Sequence, residues 1–211
     1  MYKIDTQKRL QEEPLILKEK GQEWTDDFVE KRTQNPQHKH TWKKKSINYH
    51  DKISNALGEL TEYHCSYCDE YPLDERAKID KQIDHFKPIS KTEFIYLAYS
   101  WTNLYLSCGG CNKSKLAQYN DLILRPDADD YFASDYFFFN PITGIIEINE
   151  TKGKEFVERA VKTRDVFDLN HPSIVKKRKK AIKNFLSDTV NAETTLNIND
   201  YDYRNFIEQL L

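Results

Sequence analysis

The sequence predicts an α+β fold in which two short strands and a helix, held by two cysteine pairs, are flanked on both sides by mostly helical regions. Three observations predict it. All four cysteines lie in C-x-x-C pairs, Cys65/Cys68 and Cys108/Cys111. The residues between the pairs include two strand-like stretches, the second ending in a glycine-rich turn. Apolar residues elsewhere recur at helical spacing.

In chain order, residues 1–64 read as a helical region. Tyr49, Ile53, Leu57 and Leu60 fall at i, i+4, i+8 and i+11, one face of a helix running into the first cysteine pair. Pro36 and the polar run around it, QNPQHKH, mark a loop to which the sequence assigns no function. Residues 65–118 form the core. Its first strand is expected at Ile79–Phe86, between the turn-forming YPLDER and Pro88, and its second at Trp101–Cys108, where Leu104 and Leu106 alternate with Asn103, Tyr105 and Ser107. Gly109 and Gly110 then allow a sharp turn, after which NKSKLAQ starts a helix. Residues 119–211 are mostly helical again. NPITGIIEIN suggests a turn into a short strand, and Phe156, Ala160, Thr163 and Phe167 form a helical stripe ending near Asn170. Pro172 opens a further helix carrying Ile174, Ile182 and Phe185, and a last helix is expected from Tyr203 to Leu211.

With 38% hydrophobic, 31% charged and 13% aromatic residues, the 211-residue chain is too rich in aromatics to be disordered. The formal net charge of -2 does not advertise a nucleic-acid binder, but the charge is unevenly placed. KKRKKAIK, at 176–183, contains no acid and reads as a solvated helix face or a phosphate-backbone contact. Residues 121–150 carry seven acids against Arg125 alone, a solvent-facing or protein-docking surface. The first residues lack an apolar signal region and no run of about 18 apolar residues occurs, so a cytoplasmic chain without membrane association is expected.

Four thiolates are the number that closes a tetrahedral zinc site. A redox motif of the thioredoxin kind would need one pair in a βαβ setting, which the sequence lacks. The spacing exceeds the roughly 15 to 20 residues of a zinc ribbon, so a segment has been inserted between the two halves of the clamp.

That segment and its edge hold Asp84, His85, Asn103, Asn112 and Lys115. Separately they could be a surface acid, a half-exposed strand histidine, a turn residue, a helix cap and a solvated charge. Phosphodiester hydrolysis gives them a joint explanation. An imidazole can activate water near neutral pH. Asp84 and the amide oxygen of Asn112 are hard ligands suited to Mg2+ or Mn2+. Asn103 would orient His85, while Lys115 and Lys87 would bind substrate phosphate. Because neighbours on a regular strand face opposite ways, Asp84 and His85 can serve one phosphate only if the backbone there is distorted, and such distortion is expected.

C-x-x-C, then IDHFKP, then WTNLYLSCGGCNKSK resembles the zinc-bearing branch of the HNH endonuclease superfamily over residues 65–115. The resemblance implies a ββα-metal finger with His85 as general base, Asp84 and Asn112 as ligands of a catalytic divalent cation, and Asn103 as the middle asparagine. Asparagine at 112, where many members have histidine, places the chain nearer the HNN variants. A looser resemblance, extended by FFFNPITGIIEI and RDVFDLNHPSIVKKRKKAI, is to the PtuB-like HNH nucleases of Septu and retron-associated anti-phage systems. It implies an ATPase partner of the PtuA kind and a nucleic-acid substrate, DNA before RNA. Two other readings stand beside it: a zinc module that binds nucleic acid or protein without catalysis, and a stand-alone restriction-like nuclease.

Overall fold

The structure, a computed structural model, describes residues 1–73, 81–192 and 195–211. Its first helix, α1 (Thr6–Gln11), is started by Asp5, whose side chain accepts from the Lys8 amide at 2.6 Å. Helix α2 (Leu15–Gln34) follows Pro14 and buries Leu17, Trp24 and Phe28. A loop then leads into a small antiparallel hairpin, β1 (Lys43–Lys44) and β2 (Ile47–Asn48). Helix α3 (His50–Thr61) carries the expected stripe, with Ile53, Leu57 and Leu60 buried and Tyr49 packed beside them. It stops where Glu62 and Tyr63 take left-handed backbone angles, φ 54° and 58°.

The two core strands are β3 (Gln82–His85) and β4 (Leu104–Ser107), paired antiparallel with Gln82 opposite Ser107 and His85 opposite Leu104. Ile79 and Asp80, the expected start of the first strand, lie outside the described residues. The second strand is shorter than expected because Trp101–Asn103 form a tight turn before it. All four β4 residues are buried, so its apolar and polar alternation does not mark an exposed face. Tyr105, on the polar side of that alternation, lies under the Arg9 guanidinium, 4.4 Å from its ring, and beside Tyr67 at 5.8 Å. The expected backbone distortion at Asp84 and His85 is absent: the ladder pairs residue for residue through His85, the last residue of β3.

Helix α4 (Gly109–Lys115) begins earlier than expected, directly after Cys108, whose sulfur accepts from the Cys111 amide and acts as the cap. The chain continues through α5 (Ala133–Tyr136) into an antiparallel pair, β5 (Phe137–Phe139) and β6 (Ile146–Ile148). Then follow α6 (Lys154–Val166), α7 (Pro172–Asn191) and α8 (Arg204–Glu208). Gly144, at φ 71°, lets the β5–β6 turn lie against α7, because a Cβ there would stand 2.9 Å from the Val175 carbonyl oxygen.

The architecture is therefore α+β, with small two-stranded sheets among helices. One apolar core runs from Ile4 through Leu57 and Leu104 to Phe206. Arg9, 1% exposed, pins α1 into it by donating to the carbonyls of Trp101 and Leu104 at 2.7 and 2.6 Å while pairing with Asp127 at 3.2 Å. Asp127 also accepts from the Tyr105 hydroxyl at 2.6 Å, so this member of the acidic stretch is an internal ion pair and neither solvated nor free to dock a protein. No helix among the described residues is long and apolar enough to cross a membrane.

Candidate functional site

The two C-x-x-C pairs converge. Cys65 and Cys68 follow α3 in a tight knuckle, in which the Cys65 amide donates to Glu70 O and the Asp69 amide to Cys65 O, both at 2.9 Å. The Ser66 amide donates to Leu106 O at 2.9 Å, tying this knuckle to β4, while Cys108 and Cys111 straddle the start of α4. All four thiols are buried and free of disulfides, with their sulfurs within 4.8 Å of one another. Cys68 and Cys108 sulfurs lie 3.7 Å apart. Tetrahedral zinc with bonds of about 2.3 Å separates its sulfurs by about 3.8 Å, so the donor set and spacing fit a zinc ion.

The thiols are also electrostatically unbalanced on their own. Hydrogen bonding to the Cys108 sulfur, with burial, pushes Cys68 and Cys111 well above the ordinary thiol range. Cys65 goes the other way: burial opposes ionisation, but donors from Cys108, Cys111 and Cys68 outweigh it. A cation at their centre is what would let Cys68 and Cys111 ionise.

Beside this clamp the strand pair divides the remaining predicted residues between two faces. Gln82 and Asp84 face α4, where the Asn112 amide donates to Gln82 Oε1. Asp84, 4% exposed, has both carboxylate oxygens engaged: Oδ2 accepts from the Tyr67 hydroxyl at 2.6 Å and Oδ1 from Lys115 Nζ at 3.0 Å. Lys115 is fully buried and also donates to the His85 carbonyl at 2.7 Å. Burial lowers its pKa, against the opposing pull of Asp84.

His85 points the other way. Its Nε2 lies 2.9 Å from the Ala98 carbonyl oxygen. Since a carbonyl only accepts, Nε2 carries the proton and Nδ1 keeps its lone pair. Burial lowers the pKa of His85 below 6.5, partly opposed by the Ala98 bond and the Asp84 charge, so the ring is neutral at neutral pH. Asn103, buried, holds the loop between β3 and Ala98: its Oδ1 accepts from the Lys87 amide at 2.8 Å and its Nδ2 donates to Lys87 O at 3.1 Å. Lys87 itself is half-buried, its ammonium 5.3 Å from the Tyr119 ring centre.

Sequence reasoning missed what covers His85. Trp42 stacks parallel to its ring with centroids 5.7 Å apart, and His40 meets it edge-on at 5.0 Å. The Tyr99 hydroxyl donates to Thr41 O at 2.7 Å and fastens this wall down. Burial, reinforced by the Lys44 charge, drives His40 down to about 2, so it too is neutral. A signal was available: Asn35–His50 contains no acid, and it sets exposed Lys39, Lys43 and Lys45 beside this wall. Trp42→Ala should admit water to the imidazole and raise the His85 pKa toward the ordinary histidine value, read by NMR titration of the ring. An unchanged titration would show that Trp42 does not shield it.

No family model matches the chain. It is 26% identical over 163 residues to the Septu protein PtuB of Bacillus mycoides (strain KBAB4), a match covering 63% of this chain and 52% of that protein. The chain thus spans about half the length of that relative. This similarity supports a relationship to Septu proteins.

Proposed function

We propose that the chain is a nuclease of the HNH type, a phosphodiester hydrolase that serves as the effector of an anti-phage defence complex. The observation that carries the reading is the His85 imidazole, neutral, pinned through Nε2 and left with a basic Nδ1 at the end of a strand whose partner strand leads into a zinc-type clamp. Such a ring can take a proton from water as the water oxygen bonds to phosphorus and the leaving oxygen departs with the chain. Strands β3 and β4 with α4 would form the ββα finger, and Cys65, Cys68, Cys108 and Cys111 would hold structural zinc. Asn103 keeps the loop carrying Lys87 in register with the base, and Lys87, half-buried where Lys115 is fully buried, is the phosphate contact. The similarity to a Septu protein supports the defence role, and with it a PtuA-like ATPase partner and a nucleic-acid target, DNA before RNA.

The catalytic cation implied by the resemblance, Mg2+ or Mn2+, meets the right donor types in Asp84 and Asn112. As arranged, however, these residues do not fit it: Tyr67 and Lys115 occupy both Asp84 oxygens, and the carboxylate lies on the opposite strand face from His85. An ion would have to displace the Lys115 ammonium, which would also free Lys115 for phosphate. The closed ion pair is the observation favouring the alternative, a zinc module that binds without cutting. Cleavage of labelled DNA and RNA by the purified chain, with each divalent cation and with or without a co-expressed ATPase, separates the two. Cleavage without the ATPase would favour a stand-alone enzyme, and no cleavage under any condition would leave the binding module.

Asn103→Ala should reduce cleavage by about 10- to 100-fold while nucleic-acid affinity holds, since a base displaced by a fraction of an ångström loses most of its advantage. Full activity would remove Asn103 from the site.

A further inference from the structure

Arg178 lies in the middle of the basic run, yet it is fully buried while Lys176, Lys177, Lys179, Lys180 and Lys183 are exposed. A guanidinium cannot shed its proton in a protein, so burying it requires a counter-charge. Among the described residues no carboxylate pairs with it. Its Nη1 donates only to Gly144 O at 3.2 Å and Asn170 Oδ1 at 3.3 Å, and Nε and Nη2 are buried without any partner. The Tyr203 hydroxyl, whose ring centre is 5.6 Å from the guanidinium, is likewise buried and unpartnered.

Both groups sit against the first cysteine knuckle. The Tyr203 amide donates to Asp69 O at 2.8 Å, one residue past Cys68, and Lys177 pairs with Glu70. The Arg178 guanidinium lies over the Tyr203 and Phe206 rings, 5.6 and 4.9 Å from their centres, so the residue is held beside the segment that directly follows Cys68. A zinc ion with four thiolates is doubly negative, and buried centres of this kind need donors and cations around the sulfurs.

We propose that Arg178 and Tyr203 form the outer shell of the tetracysteine centre, Arg178 as its counter-cation and the Tyr203 hydroxyl as a second buried donor beside it. The C-terminal helices are thereby part of the metal site. This rests on the zinc reading, and the tests separate the two. Elemental analysis of the wild-type chain comes first: absence of zinc overturns both. In zinc-loaded protein, Arg178→Met should weaken zinc affinity about 10- to 100-fold in competition with a chromogenic chelator. Arg178→Lys should recover part of it by restoring charge without the planar donors. Tyr203→Phe, which keeps the ring and serves if Arg178→Met does not fold, should weaken zinc less and shift the sulfur-to-metal charge-transfer band of the Co2+-substituted protein. Ile182→Ala, one turn further along α7, is the control for packing loss and should retain wild-type affinity at a comparable drop in melting temperature. Wild-type affinity and an unshifted band in Arg178→Lys and Tyr203→Phe overturn the proposal, as does equal zinc loss in Ile182→Ala.

Discussion

His85→Ala is expected to fold, keep its zinc and bind nucleic acid, yet cleave about 100- to 10,000-fold more slowly than the wild type, the usual cost of losing a general base. Among the described residues the ring's one hydrogen bond is to a carbonyl, so its removal leaves a single acceptor for water to satisfy. The pH profile should carry the same information. A base must be unprotonated to act, and burial lowers the His85 pKa below 6.5, so activity should persist on the acid side of that value and fall only as the ring finally protonates. An alanine variant that cleaves at the wild-type rate, with every required cation and partner supplied, would end the HNH reading.

Cys108→Ser is expected to be more damaging to the fold. Cys108 caps α4 through its sulfur, receives the approach of Cys68 at 3.7 Å and donates its amide to the Cys65 sulfur at 3.3 Å. Serine can cap a helix, but it cannot supply a thiolate, and structural zinc sites of this kind stabilise by about 10 kcal/mol or more. The variant should lose zinc, expose the residues between the pairs to limited proteolysis and melt well below the wild type. Zinc retention with an unchanged melting temperature would show that the centre is not structural.

The cysteine clamp was legible because ligand spacing is a local property of the chain, and so were α3, α6 and α7, whose apolar stripes repeat at helical spacing. The short strands were legible in position but not in exposure. Tyr105 read only as part of a strand alternation and Lys115 as a solvated charge or a phosphate contact, and it is the packing of α1 and the opposing Asp84 charge that bury them. Arg178 is an instructive miss, since Ile174, Arg178, Ile182 and Phe185 follow the same i, i+4, i+8, i+11 pattern as the stripe of α3. Its neighbours' charge hid its place on the apolar face. Trp42 and His40 reach His85 across more than forty residues of chain, a contact that no window along the sequence contains.

The buried pairing of Asp69 with Arg204, at 2.7 Å, joins positions 135 residues apart and closes on the first cysteine knuckle. It therefore sets an order in time. A ribosome adding about 5 to 20 residues per second delivers both cysteine pairs several seconds before α7 and α8 emerge. Through that interval the knuckle stands without its internal cations, and Asp69 remains hydrated. The centre reaches its final form only once Arg204 has emerged, which makes the nascent chain most vulnerable to metal theft and oxidation just after Cys111 appears.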